Sequence, residues 1–276
     1  MGQDTGMLGG KLFEYIDELL GKMRTTIIAF IVVFFGLFII GPVSFKLDGI
    51  TLYYPFPSFY GSFSVHILEL MKTYLVPHRM TLIQVAPFDV VISVVYVSLA
   101  ISISFIIPIL AFQFINFSKT ALYPKERRIV TLSIFPILVL FVVGVLFALK
   151  LILPLLFHFI YIFTTVVGVA PFLGVAQFVS IVVLITAGMG AVFETPVIVF
   201  SLSYIGLVPP STWFKNWRYA IIGAFFIALL ISPGATGGIM ETTIAVIIIG
   251  LYFSGALLAR WVLSKKIQVE QKPTIS

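Results

Sequence analysis

The sequence predicts an all-α integral membrane protein with six transmembrane helices, and three observations carry that prediction. The mean hydropathy is +1.15, with 60% hydrophobic and only 10% charged residues, far above the roughly half-apolar composition of a water-soluble domain. Several stretches reach the roughly 20 apolar residues that a helix needs to cross about 30 Å of hydrocarbon. The short alternating segments of a membrane β-barrel are missing from the pattern, so the spans are read as helices. The third observation is the placement of bases. With spans at about 25–43, 89–117, 129–154, 175–207, 219–232 and 242–262, 13 of the 17 Lys and Arg residues fall on the side of the termini and 4 on the other. The positive-inside rule then puts both termini in the cytoplasm of a cell membrane protein.

The N-terminal stretch KLFEYIDELLGKMR, residues 11–24, precedes the first span. Leu12, Ile16, Leu19 and Met23 form an apolar stripe, with Glu14, Asp17 and Glu18 on the opposite side, the pattern of a helix lying on the inner membrane surface. Anionic lipid favours bases on such a helix, so the acids need another reason. One is the i,i+4 pair Glu18–Lys22. Another is a cationic partner, because carboxylates receive guanidinium groups through two parallel hydrogen bonds. The stretch is polar and amphipathic, unlike a cleavable signal peptide.

Segment 44–88 reads as an outside cap, with the proline- and aromatic-rich YYPFPSFYGSF followed by the helical VHILELMKTYLV. The fifth span is short and the fourth long. Pro196 in the fourth predicts a tilt or kink near Glu194. The whole reads as one domain, 1–264, with a cytoplasmic tail at 265–276.

Glu194 stands alone among apolar residues in GMGAVFETPVIVF, residues 188–200. A charge at the centre of a membrane helix costs about 2.5–3.5 kcal/mol on insertion scales, so such a group usually faces a cavity or a partner. Ala187, Gly190 and Ala191 share its helical face and would let another backbone approach. The alternatives are a protonated acid satisfied internally by Gln177, Gln113 or a carbonyl freed by Pro196, and the proton carrier of a small-solute transporter. The loop ALYPKERRIV, residues 121–130, places Glu126 between Lys125 and Arg127. It reads either as a topological anchor with a helix-start acid or as a binding loop.

Enzymes find little support. There is no cysteine for thiol chemistry, the three histidines lack paired acids at metal spacing, and no nucleophile motif or intramembrane aspartate pair is present. No cofactor is expected. The net charge of +6 is scattered among short loops, which argues for topology rather than nucleic acid.

Together these stretches resemble the TatC family, the polytopic core of the twin-arginine protein translocase. The likeness runs in order through DELLGKMR, QVAPFDVV, ILAFQFINFSKTALYPKERR, FVVGVLFALKLILP, GMGAVFETPVIVF and NWRYAIIGAFF. The resemblance implies a non-enzymatic receptor for signal peptides bearing two adjacent arginines. It exports folded proteins with single-span TatA-type partners, and TatB if present, using the proton gradient and working in a multi-copy complex. By motif it assigns signal-peptide binding to Glu18, Glu126, Phe117 and Gln113, with Arg127 beside them, and docking of a partner helix to Glu194. The outside turn 232–241 departs from the family pattern: no aspartate is present, and Glu241 stands near the usual glutamine.

Overall fold

The computed structural model describes residues 4–47, 50–118, 134–232, 234 and 236–270. Among these, four helical stretches are long and apolar enough to cross a membrane: Asp89–Ile107, Phe135–Val166, Val175–Tyr204 and Ile239–Ser264. Met23–Ile39 and Trp217–Ile231 are shorter apolar helices. The chain divides into two compact units, Met1–Leu70 with Val94–Arg127, and Met71–Ser93 with Arg128–Ser276.

In the first unit, α1 (Asp4–Ile39) is one uninterrupted helix. The expected surface helix and first span are therefore a single element. No proline breaks the run, and Gly21 is held within it, its carbonyl accepting also from Thr25 Oγ1 (3.2 Å). The helix stops at Ile39, short of the expected 43, because the chain enters an antiparallel hairpin, β1 (Ile40–Leu47) and β2 (Ile50–Pro57). The segment read as an outside cap thus contains strands. Its signal was Asp48-Gly49 between two apolar runs, a dipeptide favoured in tight hairpin turns. The Ser58 amide bonds the Ile39 carbonyl (2.8 Å), and a Cβ on Gly41 would overlap the Gly61 carbonyl. Helix α2 (Phe63–Leu75) follows, where the helical period of VHILELMKTYLV places one. Its Ser64 hydroxyl bonds that of Ser98 (2.7 Å).

In the second unit, a three-residue strand β3 (Thr81–Ile83) leads to α3 (Asp89–Ser118), which continues into the first unit. The Asp89 carboxylate accepts from the Val85 and Ala86 amides (2.9 and 2.8 Å) and fixes the helix start. Along α3 the hydroxyls of Ser93, Ser98, Ser102 and Ser104 each donate to the carbonyl four residues earlier. That bond lets hydroxyls sit in an apolar helix without an unmet donor.

The third apolar run is α4 (Ile134–Phe147), a π-helical turn (Ala148–Ile152) and α5 (Leu153–Val166). It runs twelve residues past the expected end at 154. Pro154 lacks an N–H and would clash with the carbonyl four residues before it. The wider turn, with the Leu153 amide on the Ala148 carbonyl, absorbs the misfit and lets the helix continue. Strand β4 (Phe172–Gly174) pairs in parallel with β3.

Then come α6 (Val175–Phe193), α7 (Thr195–Tyr204), the short α8 (Pro210–Lys215), α9 (Trp217–Ile231) and α10 (Ile239–Glu270). Helix α10 extends into the stretch read as tail. Trp213 Nε1 donates to Ser203 Oγ (2.7 Å) and the Tyr252 hydroxyl donates to the Trp213 carbonyl (2.9 Å), tying α7, α8 and α10 together. Small residues allow the closest approaches: Gly255 lies on Pro196, Gly188 on Ile231, and Gly144 on Met189 and Gly190.

Candidate functional site

Two sets of predicted residues fall in two separate places. In the first unit, Thr26 of α1 is buried and donates from Oγ1 to Gln113 Oε1 of α3 at 2.6 Å. Further along, Val33, Gly36, Leu37 and Ile40 line a groove of about 400 Å³ with Phe105 of α3, together with Pro55 and Phe63. Higher numbers on α1 therefore meet lower numbers on α3, and the two helices run antiparallel. Gln113 is thus a polar tie between them. Glu18 lies on α1 and Phe117 on α3, with their side chains outside the described residues. Glu126 and Arg127 lie outside the described residues altogether.

In the second unit, α6 gives way to α7 at Glu194, where Pro196 predicted a kink. Proline leaves the Val192 carbonyl without its amide partner. Thr195 Oγ1 donates to that carbonyl at 2.6 Å and the Glu194 amide donates to it as well, whereas the Glu194 carboxyl does not bond it. Both carboxylate oxygens of Glu194 are sealed from the surface, and no described residue hydrogen-bonds them. The Phe141 backbone lies near enough to influence the group without forming a bond of acceptable geometry. Gln177 stands at the opposite end of α6, about 25 Å away by helical rise, beside Gly174. The expected internal satisfaction is not made among the described residues.

The small-residue face needs a correction. Gly190 is not open to a partner: a Cβ there would meet the Phe141 ring at 2.7 Å, and Gly144 approaches the same spot. Phe147 and Phe193 close the wall with ring centroids 5.3 Å apart. The chain's own α4 fills that half of the face, because glycine on both helices lets their backbones approach. Ala191 is exposed and remains open.

Glu241 is a third, self-contained arrangement. It is 5% exposed and accepts from Ser232 Oγ (2.7 Å) and Thr236 Oγ1 (2.8 Å). The turn it closes holds Gly234, Gly237 and Gly238 at φ +70°, +61° and +91°, values that suit glycine. Glu241→Ala would strand both hydroxyls, at about 1–3 kcal/mol. It is expected to lower the thermal midpoint and expose the 232–238 turn to protease. Glu241→Gln, whose carbonyl oxygen still accepts, should do less; equal effects would show that the two bonds carry no stability. Among the described residues no group of three or more His, Asp or Glu gathers as a metal site.

The family model described as "Sec-independent protein translocase protein (TatC)" matches residues 14–247. The chain belongs to the TatC family. A TatC of Cenarchaeum symbiosum (strain A) is similar at 29% identity over 214 residues, covering 78% of this chain and 81% of the relative. One from Aquifex aeolicus (strain VF5) is 25% identical over 263 residues, 94% and 99% of the two chains. A crystal structure described as the twin arginine translocase receptor TatC shares the fold, with TM-score 0.71, 24% identity and coverage of 90% and 98%. As a TatC family member this is a multi-pass membrane protein, and its relatives are named for protein translocation, a transport role rather than catalysis.

Proposed function

We propose that this TatC is the receptor and scaffold subunit of a twin-arginine translocase. It crosses the cell membrane six times with both termini in the cytoplasm, binds signal peptides bearing paired arginines, and exports folded proteins with single-span TatA-type partners at the expense of the proton gradient. The observation that carries the reading is the Thr26–Gln113 tie. From Thr26 back to Glu18 is about two turns of α1. The same distance along antiparallel α3 leads from Gln113 past Phe117 and Ser118 into the 119–133 segment, which carries Glu126 and Arg127. Antiparallel geometry thus supports bringing both acids to one end of a helix pair, where two carboxylates receive two guanidinium groups by charge and bidentate geometry.

Glu194 is proposed as the acid that holds a partner's transmembrane helix. A carboxyl group with no hydrogen bond among the described residues gains most from one supplied by a neighbour. Both its oxygens are sealed in this structure, so docking requires the side chain to turn out toward the edge that exposed Ala191 leaves open. Glu194→Ala is expected to reduce co-purification of a single-span partner severalfold while leaving twin-arginine peptide binding intact. Loss of both would indicate misfolding instead.

The reading as a whole is tested by purifying the chain from native membrane and photo-cross-linking a twin-arginine precursor from a probe near Glu126. Neither partner nor precursor being captured would defeat it. The small-solute transporter is not favoured, because the family is one of protein translocases.

A further inference from the structure

Lys150 is the one Lys, Arg, Asp or Glu between Arg128 and Glu194. It lies in the 32-residue apolar stretch Phe135–Val166, inside the π-helical turn. That stretch, at about 48 Å, is longer than the hydrocarbon is thick, and Leu151 shares a cleft with Gly237 and Gly238 at the start of α10, which places Lys150 toward an interface rather than at the bilayer centre. Its side chain is exposed, and no described residue forms an ion pair with it. A cation on a membrane helix is costly unless it reaches an anion or the interface.

Flanking it in the chain, Phe147 and Leu151 line an open cleft of about 790 Å³, whose other walls are Ile239, Val246 and Ile247 with Gly237 and Gly238. That volume is in the roughly 300–1,000 Å³ range of small-ligand pockets. Its polar side chains are the hydroxyls of Thr242 and Thr243. The nearby acid, Glu241, does not line the cleft: it is buried and spent on Ser232 and Thr236. The cleft is therefore apolar, and Lys150, next in the chain to its wall residue Leu151, has no ion-pair partner among the described residues.

The geometry points to this cleft as a binding site for an anionic phospholipid. An acyl chain lies between Phe147, Leu151, Val246 and Ile247, and the phosphate pairs with Lys150. The charge selects the occupant. A plain apolar helix or acyl chain leaves Lys150 without an anion, whereas an anionic lipid supplies the apolar chain and the charge in one molecule. The π turn contributes by continuing the helix past Pro154 with Lys150 on an exposed side.

The test uses the full chain in detergent, with native mass spectrometry of retained phosphatidylglycerol and phosphatidylcholine. The wild-type protein is expected to retain phosphatidylglycerol preferentially. Lys150→Gln should weaken that retention about tenfold with little change for phosphatidylcholine, and Lys150→Arg should restore it. Val246→Trp, at an exposed wall position, should reduce retention of both lipids by filling the channel. Equal retention of the two lipids, or indifference to Lys150→Gln, would show an ordinary lipid annulus and overturn the site. So would a photo-cross-linker at Val246 that captures a protein helix rather than lipid.

Discussion

Glu126→Gln is expected to cut photo-cross-linking of a twin-arginine peptide by about tenfold or more, and that of a twin-lysine peptide by much less. The substitution keeps size and removes charge. A hydrogen bond to a charged group contributes about 1.5–3 kcal/mol, and each 1.4 kcal/mol is tenfold in affinity. The asymmetry between peptides follows from shape. Guanidinium presents a planar fork that a carboxylate meets with two parallel bonds, and replacing one carboxylate oxygen by an amide nitrogen destroys that match. An ammonium is a point charge and never had the second bond. The effect should weaken as salt rises if the proposed site faces water, where exposed charges are screened. Equal loss for both peptides would remove guanidinium recognition from the proposal and leave only general charge attraction. Glu18→Gln should behave in the same sense, if the two acids act together as proposed.

Gly144→Val is expected to abolish most of the folded protein, measured as the monodisperse fraction in size-exclusion chromatography and as the thermal midpoint. A Cβ at Gly144 would lie 2.6 Å from the Met189 carbonyl oxygen, 2.9 Å from the Phe193 Cβ and 3.0 Å from the Gly190 Cα. Two of these three atoms are backbone and cannot rotate away, so α4 and α6 must separate. Overpacking a core costs about 1–3 kcal/mol where side chains can adjust, and here the adjustment is a helix displacement. The control is Gly250→Ala in α10, where an added Cβ meets nothing within 4 Å. Alanine is the better helix former by about 1 kcal/mol, so that variant should be as stable as wild type or more so. If the two substitutions were equivalent, the close approach of α4 and α6 would be wrong. The prediction also bears on Glu194, whose sealed carboxylate sits one turn beyond Gly190 on the same wall.

The residues that were easy to read share one property: their behaviour follows from neighbours within a turn or two. The apolar runs from 89 and 175, the short helix before Ser232 and the break at Glu194 all come from local hydropathy or from a proline's missing N–H. Even so, local rules misplace two boundaries. Pro154 looks like a stop, yet a π turn carries the helix on to Val166. Residues 40–43 read as the end of the first span and those from 44 as an outside cap, yet 40–47 and 50–57 form two paired strands. In both cases the signal was present and ambiguous, since a proline ends some helices and merely bends others.

The candidate sites divide along the same line. Glu194 stands alone in an apolar run, whereas Glu241 follows a glycine-rich turn with Ser232 and Thr236 nearby in the chain. Glu241 turns out to be fully engaged by Ser232 and Thr236, whereas Glu194 has no hydrogen bond among the described residues. Gln113 was proposed for peptide contact, and its partner in the structure is Thr26, 87 positions away.

By itself the sequence determined that this chain is a membrane protein built of apolar helices. Those properties are sums over local composition, set by the cost of placing polar groups in hydrocarbon. Only the tertiary structure decided that Gly190 is filled by Phe141, that Gln113 ties α3 to α1, and that Phe147 and Leu151, on either side of Lys150 in the chain, line a cleft. Each depends on a second segment arriving from far along the chain, and the space between two packed helices is not a property of either one alone.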